Sequence, residues 1–439
     1  MFSIKQIIFL TVLQAIAGHA APTPRDATPV QAGAAPPASF TANPNIGPGG
    51  SNYKDSPHFR IYGGSSSQQD AAIAMLEGAY TCFVDTLGWR SSGLSYNDAQ
   101  DDGPWTKVNI YAVGSLSGGA AGVMHSDYAT GMSWLEVVTS YVATPGVTIH
   151  EYGHGLTYHA KNWVDQSRTG AWWETTANFI AETYKNSNLC AAARAKYNQP
   201  TGDTEVNLNK VIGDSFQVIV DGTSGSGNYY EAWPFFTFLT NNLDNYASLG
   251  ANTLLEMWAQ YSKGSNETPL HTLARLSTSI TVPKLVGRYW ARMAYADIGS
   301  AQISSAFQSR RSNINYANLD QTGSSGGTTN YRVKSSRQPR YMGSNIIPLK
   351  KSGAVTVNVS VTNTSGAFTA TLAIRNTSSG TTRYVELVNG SGSTSVANGE
   401  EATLVVANTP NLIQYDPFSL SSDVMKGLNY QVAITGATA

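Results

Sequence analysis

The chain is short of charge. Only 13% of its 439 residues are Asp, Glu, Lys or Arg, and the formal net charge is −1. No cluster of Lys and Arg interrupts this balance. Neither nucleic acid nor an anionic membrane is therefore expected as a partner. Long apolar runs are also lacking. Ile7 to Ala17 is the longest candidate and is too short to span a bilayer, so no membrane span is expected. Cysteine is scarcest, with Cys82 and Cys190 the only two, which leaves room for one disulfide at most.

What is present begins with a secretory pattern. Lys5 precedes the Ile7–Ala17 run, and Gly18-His19-Ala20 ends in small residues suited to cleavage. Residues 1–20 are read as a signal peptide and the product as secreted and extracellular. In that compartment an even pair of cysteines predicts a Cys82–Cys190 disulfide. Hydrophobic residues make up 41%, a globular composition, and 439 residues exceed one ordinary core.

Residues 21–56 are rich in Pro, Ala, Gly, Ser and Thr and read as a flexible leader or pro-segment without a dibasic cleavage site. Folded structure is expected from His58-Phe59-Arg60-Ile61-Tyr62, a short strand. A helix over 68–88 and strands over 107–113 and 131–138 follow. Pro145-Gly146 marks a turn. A helix from Thr148 to about Ala160 comes next, then a loop, then a helix from about Trp172 to Tyr184. Together these define a region over 57–200. Residues 201–320 read as mainly helical, with candidates at 229–243, 253–261 and 283–295. The stretch 321–330, Gln-Thr-Gly-Ser-Ser-Gly-Gly-Thr-Thr-Asn, reads as a linker. Beyond it the apolar period becomes two, as in Val355, Val357, Val359 and Val361. Short strands separated by Gly, Asn and Ser predict a β-sandwich over 331–439. The fold class expected is α+β.

Asn-x-Ser/Thr sites stand at Asn266, Asn358, Asn363, Asn376 and Asn389. In an exported chain these are candidate glycosylation sites.

The chemistry concentrates at His150-Glu151-Tyr152-Gly153-His154. Histidines four apart share one helix face and can hold one ion, while Glu151 reaches a water on that ion. A catalytic zinc needs a third protein ligand and an open position. His159, Asp165 and Glu174 are the downstream candidates. The HExxHxxGxxH frame fails, because Thr157 and Ala160 occupy its Gly and His positions. Histidines at helical spacing and an acid near a helix start also occur for purely structural reasons.

The stretch Trp172-Trp173-Glu174-Thr175-Thr176-Ala177-Asn178, twenty residues after His154, gives this region a resemblance to gluzincin metallopeptidases. The resemblance covers about 145–184. It implies a zincin-like metallopeptidase domain over 57–200, continued by the helical 201–320. It also implies one Zn2+ ion held by His150, His154 and Glu174. Four residues after the ligand Glu these families place a polar residue, commonly Asp, that orients the first His. Asn178 stands there, a departure toward a weaker orienting group. More loosely, the chain resembles a group of secreted fungal and bacterial gluzincin-like proteins with a C-terminal β-domain. The stretches that carry this are Trp233-Pro234-Phe235-Phe236 and Tyr289-Trp290-Ala291-Arg292.

The activity implied is hydrolysis of peptide bonds in a protein or glycoprotein substrate, with Glu151 as general base. The family resemblance also implies an oxyanion donor from a downstream helix. Tyr230 is the first choice, and Tyr229, His271 and Tyr289 are the others. The strand that pairs with substrate is expected at Gly131-Met132-Ser133-Trp134 or in the Gly-rich stretch 114–122 before it. Trp172 and Trp173 read as support for the second helix rather than as a sugar platform. Two other functions fit the same residues. One is a non-catalytic secreted surface or glycan-binding protein with a structural or vestigial zinc site. The other is a zinc hydrolase for a non-peptide substrate.

Overall fold

The structure is a computed structural model and describes residues 35–161, 163 and 166–439. The signal peptide expected over 1–20, the leader up to residue 34 and the candidate ligand Asp165 lie outside the described residues. Among the described residues the architecture is mixed α+β with three sheets. The chain divides into two compact units. One holds residues up to Lys161 together with Asn188–Thr201, and the other holds Asn162–Ser187 and Gly202–Ala439.

In the first unit the strands are β1 (Tyr53–Asp55), β2 (Phe59–Tyr62), β3 (Val108–Val113), β4 (Gly122–Asp127) and β5 (Met132–Val138). They form one sheet in the order β1-β2-β3-β5-β4. β2, β3 and β5 run parallel, and β4 closes the edge antiparallel to β5. Two of its helices pack beside these strands. α1 (Ser66–Tyr80) starts at a capping box in which Ser65 and Gln68 exchange side-chain and backbone bonds. α2 (Pro145–His159) starts with proline at its first turn, where the missing N–H costs nothing. Phe59 of β2 meets Tyr152 of α2 edge-on at 5.3 Å, so α2 lies on this face of the sheet.

The opposite face carries an aromatic ladder. Tyr62 stacks on Tyr111 at 4.5 Å, Trp134 meets Tyr111 edge-on, and His125 stacks on Trp134 at 4.0 Å. This ladder explains a correction to the leader expected over 21–56. Its latter part is built into the unit, with Phe40 and Ile46 buried. Thr41 bridges to Thr106. The Tyr111 hydroxyl and the Asn109 amide both donate to the Ile46 carbonyl. Composition alone hides this, because two apolar residues in a Pro/Gly-rich stretch have no periodicity.

The second helix of the expected metal region, α3 (Gln166–Asn186), belongs to the second unit. The chain then returns to the first unit with α4 (Ala191–Lys196). Next to α4, Cys190 is joined to Cys82 in the expected disulfide, with Cα atoms 5.1 Å apart.

The second unit continues with α5 (Pro234–Asn241), α6 (Thr253–Gln260), α7 (Pro269–Leu276), α8 (Val282–Met293) and α9 (Ala301–Arg310). The helix expected over 229–243 is shorter than the pattern implied. Pro234 starts it, and Asn242 ends it in the left-handed conformation. Phe236 packs against Trp163, Trp172 and Phe179. Trp172 is fully buried, in keeping with its expected supporting role.

The strands beyond are β6 (Leu319–Ser325), β7 (Thr328–Val333), β8 (Ser344–Leu349), β9 (Val355–Thr362), β10 (Phe368–Asn376), β11 (Thr382–Glu386), β12 (Ser391–Val396), β13 (Glu400–Asn408) and β14 (Gln431–Thr435). They form two antiparallel sheets, β11-β10-β13-β8 and β12-β9-β14-β7-β6. One apolar core joins them, with Val357, Val359, Leu372, Leu404 and Ile434 among its members. This is the arrangement of a β-sandwich.

The linker expected over 321–330 is instead the β6–β7 hairpin, turning at Gly326 and Gly327, both at positive φ. Its Gly, Ser and Thr residues are those of an exposed edge strand and a tight turn. Nor is it a domain boundary. α8 lies on β10 and β13, and the Trp290 indole donates to the Met342 carbonyl at 2.8 Å. Asp244 accepts hydrogen bonds from both Arg288 and Arg292. Arg292 also pairs with Asp297, which accepts from the Tyr384 hydroxyl of β11 at 2.6 Å.

Candidate metal centre

Helical spacing on α2 sets His150 and His154 one turn apart, and their Nε2 atoms lie 3.2 Å from each other. Their rings are almost perpendicular, at 85°. Two imidazoles on one tetrahedral zinc, each about 2.0–2.1 Å from it, place their nitrogens about 3.3 Å apart. The pair therefore fits one ion without rearrangement. Among the described residues, His150, His154 and Glu174 offer one ligand atom each, all within 4.8 Å of one another. Two neutral imidazoles and one carboxylate make a donor set suited to zinc.

Glu151, adjacent in sequence, is 4% exposed. Its side chain runs past the bare backbone of Gly122 at the start of β4. A Cβ at that glycine would lie 2.6 Å from the Glu151 Cγ. β4 is one edge of its sheet. Gly131 precedes β5, and Met132, Ser133 and Trp134 lie within it, an interior strand between β3 and β4. The Gly-rich stretch leads into the edge itself.

Glu174 lies mid-way along α3, partly buried. On the same helix Thr175 donates to the Tyr229 carbonyl and Asn178 to the Tyr230 carbonyl, both at 2.6 Å. These bonds hang the two tyrosines along α3 beside Glu174, with their rings 4.4 Å apart. Burial pushes the Tyr229 hydroxyl above its ordinary pKa; the hydrogen bond with Tyr230 opposes this and the charge of Glu174 adds to it. Asn178 thus performs a task closed to the carboxylate common in the resembled families, since an amide can donate to a carbonyl and an ionised carboxylate cannot.

The other sequence candidates have structural employment. His159 is fully buried, with Nδ1 2.7 Å from the Leu94 carbonyl and Nε2 2.9 Å from the Ser133 hydroxyl. Burial pushes its pKa down to about 3, against the pull of the Leu94 carbonyl. His271 completes a capping box with Thr268 at the start of α7. Tyr289 is a core residue packed against Phe235 and Phe238. Sequence reasoning missed Gly122 as a partner of Glu151, although its Gly-rich stretch was a visible signal. The donor role of Asn178 had no sequence signal.

Residues 62–439 match the family of unknown function DUF6055, and the chain belongs to that family. No curated protein matches it. Among solved structures it is similar to a mutant of a carbohydrate binding module family 29. That match has 9% identity and a TM-score of 0.14, and it covers 27% of this chain and 79% of that chain. At such a score the likeness carries no argument. No helix among the described residues is long and apolar enough to cross a membrane.

Proposed function

We propose that this protein is a secreted zinc-dependent peptidase of gluzincin-like, zincin-fold type, acting on protein or glycoprotein substrates. The observation that carries the reading is the convergence of His150, His154 and Glu174 with Glu151 on the same helical turn. A metal held only as a structural staple has no use for that buried glutamate.

His150, His154 and Glu174 would hold the ion, which when bound supplies Lewis acidity and makes a water more acidic. Glu151 takes the proton of the attacking water and passes it to the leaving amine as the C–N bond breaks. The contact with Gly122 restricts the Glu151 side chain to one approach. An extended peptide adds to the open edge of β4 through main-chain hydrogen bonds. Tyr230 donates its hydroxyl proton to the developing oxyanion, its main chain being fixed by Asn178. The resemblance also gives Asn178 the role of orienting the first His ligand. The five Asn-x-Ser/Thr sites are proposed to carry glycans; Asn358, Asn363 and Asn389 are exposed in the sandwich.

The deciding experiment is Glu151→Gln. The purified variant should retain stoichiometric zinc and lose peptide hydrolysis by a factor of about 100 or more, on the order of a removed general base. Undiminished hydrolysis, or wild-type protein that takes up no zinc on reconstitution, would sink the reading. Zinc retained with no hydrolysis by the wild type would favour the non-catalytic surface or glycan-binding protein.

A further inference from the structure

Between β13 and β14 the sandwich sends a loop back to α3. Its backbone is pinned at several points. The Ile413 N–H donates to the Tyr341 hydroxyl at 3.0 Å, the Tyr415 hydroxyl to the Val220 carbonyl at 3.0 Å, and the Gly222 N–H to the Pro417 carbonyl at 2.9 Å. Tyr415 is buried. Three residues later Phe418 remains 48% exposed, although its N–H is capped by the Asp416 carboxylate at 2.9 Å.

The ring of Phe418 sits in a notch that only glycines leave open. A Cβ at Gly170 of α3 would come within 2.7 Å of Phe418 Cε2, and one at Gly222 within 2.9 Å of Cδ1. Tyr229 meets the same ring edge-on, with centroids 6.3 Å apart. Gly170 precedes Glu174 by four residues, so the two share a helix face about 6 Å apart along the axis. Phe418, Tyr229 and Tyr230 thus border the Glu174 face of α3. A rigidly held aromatic ring left half open beside such a carboxylate has the character of a binding surface rather than of packing.

We propose that Phe418 and Tyr229 form an aromatic subsite for a large apolar or aromatic side chain next to the scissile bond. The loop of the β-sandwich, rather than the helical frame, then sets the side-chain preference. The proposal rests on the peptidase reading above. Phe418 offers no polar atom to a guest, and the Asp416 carboxylate beside it selects against an acidic one. Aromatic rings gain from offset or edge contacts with one another, which favours Phe, Tyr, Trp or Leu over Gly and Asp.

The test uses the full chain loaded with zinc and fluorogenic peptides that differ only beside the cleaved bond. Wild type should favour Phe or Leu over Gly or Asp at one of the flanking positions. Phe418→Ala should lower that kcat/KM ratio roughly tenfold, the range set by one apolar contact. Gly170→Ala, which keeps the ring but crowds it, should lower the ratio too. A ratio unchanged in both variants overturns the subsite. A second readout needs no turnover. An uncleaved Phe-containing peptide should bind the Glu151→Gln protein more tightly than its Gly counterpart, and Phe418→Ala in that background should erase the difference. Equal binding in both backgrounds, or a preference for a sugar-bearing peptide over the Phe peptide, overturns the proposal. Absence of hydrolysis by the zinc-loaded wild type counts against the peptidase reading, and the binding measurement then decides the subsite by itself.

Discussion

A Cβ placed on Gly122 would fall 2.6 Å from the Cγ of Glu151. The glycine belongs to the edge strand β4 and the glutamate to α2, so a bare stretch of backbone forms one wall for the proposed general base. Gly122→Ala should displace the Glu151 carboxylate while leaving His150 and His154 in place. Hydrolysis is expected to fall by roughly 10- to 100-fold, the usual cost of misplacing a general base. Bound zinc, measured by atomic absorption, should not change. Full activity would show that Glu151 has another route to the water.

Asn178→Asp restores the residue type common in the resembled families, yet it should harm this protein. The variant loses the amide that donates to the Tyr230 carbonyl and faces that oxygen with a carboxylate. A stability loss of about 1–3 kcal/mol is expected, the cost of a broken and repulsive buried contact. kcat should drop with Tyr230 out of place. Denaturant unfolding and steady-state kinetics on the same preparation would check both, and a neutral outcome would dismiss the tethering role.

His159 predicts acid sensitivity. Its folded pKa is pushed down to about 3, whereas the unfolded chain binds the proton near about pH 6.5. The folded state therefore excludes a proton that the unfolded state takes up. The stability this provides is fully present above about pH 6.5 and is lost as pH falls below it, by up to about 1.4 kcal/mol per pH unit. Urea midpoints at pH 7 and pH 5 would measure the slope. His159→Gln should be less stable at pH 7 but show a shallower pH dependence.

Asp244 tests whether helices and sandwich are one cooperative unit. Burial raises its pKa, but hydrogen bonds from Arg292 and Arg288 overcome that and hold the carboxyl well below the usual carboxylate range. Asp244→Asn leaves Arg292, only 7% exposed in its side chain, without its main counter-charge. A loss of about 3–5 kcal/mol is expected for a broken buried pair. Calorimetry should show the helical and β parts shifting together. A separate, unshifted sandwich transition would mean that the two melt independently.

The local features were legible because they depend on neighbours in sequence. Alternation at Val355–Val361 marks β9, and the HExxH spacing after Pro145-Gly146 marks α2. The same spacing puts His150 and His154 on one helix face, and the placement of Glu151 beside them needs no tertiary information. Two cysteines in the chain leave one possible pairing, and Cys82–Cys190 is the bond observed.

What tertiary structure decided is what depends on residues distant in the chain. Packing of Phe40 on His58, Tyr80 and Trp105 and the bonds from Asn109 and Tyr111 of β3 to Ile46 turned the latter part of the expected leader into part of the first unit. Pairing of β6 with β7 made the expected linker a hairpin, and the Asp244–Arg292–Asp297–Tyr384 network tied the helices to β11. The ring of Phe418 reached Gly170 across more than half the length of the chain. Periodicity reports which face of an element is apolar, but not which surface that face will meet. For that reason the helix bearing His150-Glu151-Tyr152-Gly153-His154 could be read from sequence, whereas the roles of Gly122, Asn178 and Phe418 required packing that only the folded chain creates.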